Sequence, residues 1–192
     1  MLSRVISGKA WGNKTWLAKN AKKRFFNETN LVEAADETLF SMVRAGGNRS
    51  RRVFGTNFSR DGGKTWSEPR SARVQGKMPD LLVLPSGRIL MVVGGEGLSD
   101  GSQLAKTPSR RSFCTLFISD DHGRTWKRDL ALAAVDGKTS VVPGDGPLMC
   151  RLEGKRILVI MQGMDRSKAN DPLFGYHAGM SLIGNIIEPA AR

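Results

Sequence analysis

Two carboxylates in this chain keep the same company. Asp61 stands two positions after Ser59 and four before Thr65, and Asp121 stands likewise between Ser119 and Thr125; Gly63 with Trp66, and Gly123 with Trp126, complete two copies of S-x-D-x-G-x-T-W. Serine, aspartate and the adjacent His122 are residue types from which a nucleophile or a metal site could be built. Their spacing instead suits a tight strand-to-strand turn, in which the carboxylate accepts backbone N–H bonds, glycine supplies a positive φ and the hydroxyls bond locally. The tryptophan is the anchor, an indole able to bury about 150 Å² or more. His122 and His177 form no metal or triad spacing. Cys114 and Cys150 are too few for a disulfide framework or zinc, and both fall in apolar runs, so buried free thiols are expected. The remaining chemistry is cationic. Thirty Lys and Arg against 18 Asp and Glu give a net charge of +12, which permits nucleic-acid or membrane-surface contact and equally suits an anionic small ligand. The excess is scattered, and runs such as Arg49-Ser50-Arg51-Arg52 are short.

The elements that must carry these turns repeat as well. Residues 30–43, 80–93 and 147–161 each read as strand, turn, strand, with nearly continuous apolar runs of the kind found in strands covered on both faces. Strand-like segments 52–58 and 112–118 run straight into the two S-x-D-x-G-x-T-W turns. No helical period of ordinary length is present. Asn13-Lys14-Thr15-Trp16 repeats the tail of the turn motif, and Trp16, Trp66 and Trp126 follow one another by fifty and sixty positions, the length of one four-stranded blade each. The expected fold is all-β: a partial β-propeller of roughly three four-stranded blades. Residues 27–192 form its single, incomplete domain. Residues 1–26, which hold seven Lys and Arg before the first acidic residue, Glu28, are either a basic leader or the remnant of a preceding blade.

The turn motif resembles the Asp-box, or bacterial neuraminidase repeat, of sialidases. Between the boxes, Glu28-x-x-Leu31-Val32-Glu33, a turn and a strand closed by Arg44 resemble the sialidase segment in which a glutamate opens an inner strand and an arginine closes the hairpin; the likeness covers most of residues 27–163. It implies a β-propeller whose ligands bind where inner strands converge on the axis, with the boxes structural and peripheral. It also implies a cluster of three arginines gripping a substrate carboxylate, a tyrosine nucleophile, a glutamate that activates it, and an aspartate as acid and base. A phenol suits this task because a carboxylate nucleophile would be repelled by the substrate's own carboxylate. By position, Glu28 matches the activating glutamate, Arg44 one carboxylate-binding arginine, and Arg111, or Arg110 beside it, another. Opposite each stands a plain reading: a strand start, a hairpin cap, loop charge.

Departures from the family pattern are equally definite. No R-I-P segment supplies a first arginine, nor is there the aspartate that follows it, and Val142-Pro143-Gly144-Asp145-Gly146-Pro147-Leu148 stands where the tyrosine would precede the third hairpin. Tyr176, the only tyrosine, comes after that hairpin, where core packing is the expected role, and Asp145 between glycines reads as a turn residue. A closed propeller of this kind has about six blades, so the chain is either a fragment or self-associates to complete a ring. The resemblance implies an exo-α-sialidase-like glycoside hydrolase acting on terminal sialic acids of glycoconjugates; the alternative is a non-catalytic glycan-binding or scaffold propeller that has lost nucleophile and acid. The expected partner is a sialylated or other anionic glycan. No nucleic acid, cofactor or metal is expected, and no membrane-spanning or signal segment is read in the chain, which makes cytoplasm the default compartment.

Overall fold

The run Ile89-Leu90-Met91-Val92-Val93 offers no polar position at which a sheet could meet water, and the fold buries all of it. In the computed structural model, described over residues 15–18, 25–46, 53–94, 114–132, 141–143, 146–165 and 180–189, it is strand β6 (Ile89–Gly94). Its side chains alternate: Ile89, Met91 and Val93 join one apolar cluster, and Leu90 and Val92 the other. Each such burial contributes roughly 1.5–3 kcal/mol. A strand apolar on both faces is thus the centre of a stack.

Three antiparallel sheets make that stack. The first blade runs in the order β1 (Phe25–Glu33), β2 (Leu39–Gly46), β3 (Val53–Ser59), β4 (Arg70–Gln75). The second runs β5 (Lys77–Val83), β6, β7 (Cys114–Ser119), β8 (Lys127–Leu132). In the third, β9 (Val141–Pro143) and β10 (Leu148–Arg151) both pair with β11 (Ile157–Asp165), whose other edge takes β12 (Met180–Ile187). There is no helix among the described residues. The cluster between blades one and two holds Phe40, Met42 and Phe54 against Ile89, Met91 and Phe117; the one between blades two and three holds Leu90, Val92 and Leu116 against Ile157, Val159 and Met161.

The inner hairpins share one closure. Ala34 N–H bonds to Thr38 O at 2.9 Å, Leu84 N–H to Arg88 O at 2.8 Å and Leu152 N–H to Arg156 O at 2.9 Å. In the first of them Glu37 holds φ +63 at the place Gly87 occupies in the second. A left-handed residue with a Cβ is strained, so Glu37→Gly is expected to stabilise the chain by up to about 1 kcal/mol and raise its thermal midpoint. A lower midpoint would contradict this account of the turn.

Blade three departs from expectation at Cys150. Cys114 is buried between blades two and three, but Cys150 is exposed. The reason lies in the register: Cys150 pairs with Leu158 and Leu148 with Ile160, on the face turned away from blade two. Leu148, Leu182 and Ile186 on the same blade are 62%, 77% and 60% exposed. At the far end of the stack, Thr15 Oγ1 donates to Lys64 O at 2.9 Å and Asn57 Nδ2 donates to Leu17 O, laying residues 15–18 against blade one. Trp16 stays 73% exposed, unlike the half-buried Trp66 and Trp126 of the two boxes.

Candidate functional site

Both boxes close on themselves in the same way. Ser59 Oγ donates to Asp61 Oδ1 at 2.7 Å and accepts Gly63 N–H at 2.9 Å, while Asp61 takes the Thr65 N–H at 2.9 Å and the Thr65 hydroxyl at 2.6 Å. The second box repeats these four bonds between Ser119, Asp121, Gly123 and Thr125 at 2.5–2.8 Å. The Thr65 hydroxyl and N–H, then the Ser59 hydroxyl, hold the Asp61 carboxyl far below the ordinary range. Burial works against ionisation of Asp121, but its bonds from Thr125 and Ser119 outweigh it and the carboxyl is again held low. With its oxygens committed to the turn, neither aspartate has chemistry left to offer. Trp66 Nε1–H donates to Gly63 O at 3.2 Å, and the Trp126 ring packs at 5.8 Å on Phe40 of blade one. The boxes join β3 to β4 and β7 to β8, on the outer strands.

The inner strands meet elsewhere. β5 touches β1 on one side and β10 on the other, so the first strands of the three blades converge. Two bulges shape this junction. On β1 the register slips between Asn27, opposite Arg44, and Thr29, opposite Val43, leaving Glu28 as the extra residue. On β5 it slips between Lys77 and Asp80, and Met78 takes φ +47. Released from the regular pleat, the Glu28 carboxylate reaches both ways: Oε1 takes the Arg44 guanidinium through Nη1, and Oε2 accepts the Met78 N–H at 2.7 Å. Arg44 is 14% exposed and Glu28 25%, so the pair is part-buried in the junction and still reaches solvent. One of Arg44's five donors is spent on Glu28, and the remainder of its planar fork can serve an anion.

Asp80 lies two residues beyond Met78, and sequence reasoning passed it over. Its Oδ1 accepts Asn30 Nδ2–H from blade one at 2.7 Å, and its Oδ2 accepts Met149 N–H from blade three at 2.5 Å. One carboxylate on blade two therefore ties all three blades where they converge. Burial pushes its pKa up, against the bonds from Met149, Leu81 and Asn30. A signal existed: the hairpin closures superpose at an offset of fifty residues, which lays Asp80 on Asn30. Arg151 adds a second tie from blade three, donating to Val83 O.

Of the residues expected to act, Glu28 and Arg44 are brought together. Arg110, Arg111, Asp145, Tyr176 and His177 lie outside the described residues. Stacked antiparallel blades, Asp-boxes on their outer strands and polar groups where inner strands converge define a partial β-propeller of the sialidase type. A family model described as the BNR repeat-like domain matches residues 6–160, and the chain belongs to that family.

Solved structures agree on the fold. A protein of unknown function from Dyadobacter fermentans is similar at 20% identity and a TM-score of 0.63, over 90% of this chain and 40% of its own. An α-L-arabinanase of Penicillium chrysogenum complexed with arabinobiose is similar at 15% identity and a TM-score of 0.58, over 85% of this chain and 46% of its own. The Hadza microbial sialidase Hz136 matches at 14% identity and a TM-score of 0.55, over 86% and 33%. The chain spans less than half the length of each. No curated protein matches it.

Proposed function

We propose that this chain carries the carboxylate-gripping part of an exo-α-sialidase-like glycan site, with Arg44 as the residue that holds the sugar's carboxylate. The observation that carries the reading is the Glu28–Arg44 pair on a strand bulge at the convergence of the inner strands. Arginine suits the task because its fork takes a carboxylate through two bonds and keeps its charge at any working pH. The similarity to an arabinanase and a sialidase supports a glycan as ligand, and sialic acid is a member of that class whose carboxylate such a cation would hold. As placed, Glu28 orients Arg44 and is itself held by the Met78 N–H.

That placement favours a second reading. With one oxygen on Arg44 and the other on Met78, both oxygens of Glu28 already hold the junction together, the arrangement a binding propeller would keep. Hydrolysis of a fluorogenic sialic acid glycoside separates the two. The hydrolase reading expects turnover that falls at least about a hundredfold in Arg44→Ala. A folded chain that binds sialic acid without turnover belongs to the binding class. The apolar face of blade three supports self-association or a further covering blade, and a sedimentation mass of one chain at every concentration would count against self-association.

A further inference from the structure

Between blades one and two, on the outer side away from Arg44, lies a cleft of about 720 Å³. Arg60, Arg70 and Arg124 line it together with Phe58 and Trp66, and no carboxylate does. None of the three arginines forms an ion pair within 4.0 Å with a described residue. They come from three places: the first box, the start of β4, and the second box across the blade interface. Arg124 is already oriented, since its Nη1 donates to Asp121 O at 3.0 Å, which leaves most of its fork free. Counter-charge lies beside the cleft rather than in its lining: Asp36 feels the charge of Arg124 without a direct ion pair, so the three guanidiniums keep donors for a ligand.

We propose that this cleft is a second binding site, distinct from the inner-strand junction, for an acidic saccharide bearing a sulfate ester or a uronate. Its lining matches that chemistry part by part. The guanidiniums read the oxyanion. Trp66 has spent its N–H on Gly63 O and is half-buried, so what it offers a ligand is ring surface, suited to the apolar face of a sugar. The Ser71 side chain and the Ser67 hydroxyl, which already serves Phe58 N–H at 3.1 Å, border the cleft as partners for sugar hydroxyls. The volume fits a few sugar units, whereas a nucleic-acid strand needs a basic track along several phosphates. Arg60 also borders a smaller recess with Glu33, Asp36, Glu37 and Asp61, so Arg70 and Arg124 carry most of the anion recognition.

The test is calorimetric titration of the full chain at physiological salt with four probes: a chondroitin sulfate tetrasaccharide, tetragalacturonate, neutral maltotetraose and a DNA hexamer. Measuring in an Arg44→Ala background removes any contribution from the inner-strand junction, so this site and the proposed sialic acid site fail or stand separately. At least one acidic tetrasaccharide is expected to bind, and the Arg70→Ala, Arg124→Ala pair to weaken it at least about tenfold, with maltotetraose weaker than the acidic probe that binds best. Arg70→Lys with Arg124→Lys, which keeps charge and loses the fork, should recover only part of the affinity and guards against a folding defect in the alanine pair. Sulfate is the group read if the chondroitin probe alone binds, and carboxylate if tetragalacturonate binds as well. Affinity indifferent to both pairs overturns the proposal, as does a DNA hexamer that binds as tightly as the best saccharide, or no binding by a folded chain.

Discussion

Gly123→Ala is expected to cost the chain about 3–5 kcal/mol, whereas Gly63→Ala, at the same position of the other box, costs about 1–2 kcal/mol. Both glycines hold φ +86, so both substitutions meet the same left-handed strain. They differ in what the new methyl group touches. At Gly63 the nearest atom is Leu39 Cδ1 at 3.4 Å, an ordinary contact with a side chain that can yield. At Gly123 a Cβ would stand 2.7 Å from the Phe40 ring, which is wholly buried and in ring contact with Phe58 at 5.4 Å and Trp126 at 5.8 Å. That ring has nowhere to go without opening the first apolar cluster. For a chain of this size the excess over Gly63→Ala should appear as roughly 5–10 °C in thermal midpoint. Equal losses at the two glycines would mean that the second box does not bear on blade one as described.

Asp80→Ala is the second large effect, about 3 kcal/mol, because it leaves Asn30 Nδ2 and Met149 N–H without their acceptor where three blades meet. Its pH dependence has a definite sign. Burial raises the Asp80 pKa in the folded chain, so its contribution is fully present below the unfolded carboxylate value, about 3.9, and diminishes as pH rises through the folded value. The box carboxylates Asp61 and Asp121 run oppositely: their pKa values are lowered, so their contribution is present above that value and is lost as pH falls. Denaturant melts of wild type and Asp80→Ala should therefore show a larger cost of substitution near about pH 4 than near about pH 7. A cost that grows with pH would mean that Asp80 is held as a stabilised anion, contrary to the burial seen.

The blades were legible because they are written in side chains. The box signature marks the outer turns of blades one and two, and the runs at 80–84 and 89–93 declare strands covered on both faces. Positions that depend on a neighbouring blade were not legible. Cys150 sits in a run as apolar as that around Cys114, but burial there requires a blade on its far side, and no described residue supplies one. Glu28 was singled out by resemblance, yet its position as a bulge residue is a property of register, and its partner at Met78 is a backbone N–H that leaves no mark in a sequence. Asp80 fails for the same reason: read alone, an aspartate at the head of a strand looks like a turn residue, and its partners lie fifty and sixty-nine positions away. Arg60, Arg70 and Arg124 each read as scattered loop charge until the fold gathers them.

Glu28 and Arg44 carry the central claim, and direct binding reaches it without depending on turnover. The measurement is calorimetric titration of N-acetylneuraminic acid into the 192-residue chain and into its Arg44→Ala variant. Saturable binding by the wild type, weakened about a hundredfold or more when the guanidinium is removed, is the predicted result. Equal affinity in the two proteins, or no binding by a folded wild-type chain, would contradict a carboxylate grip at Arg44.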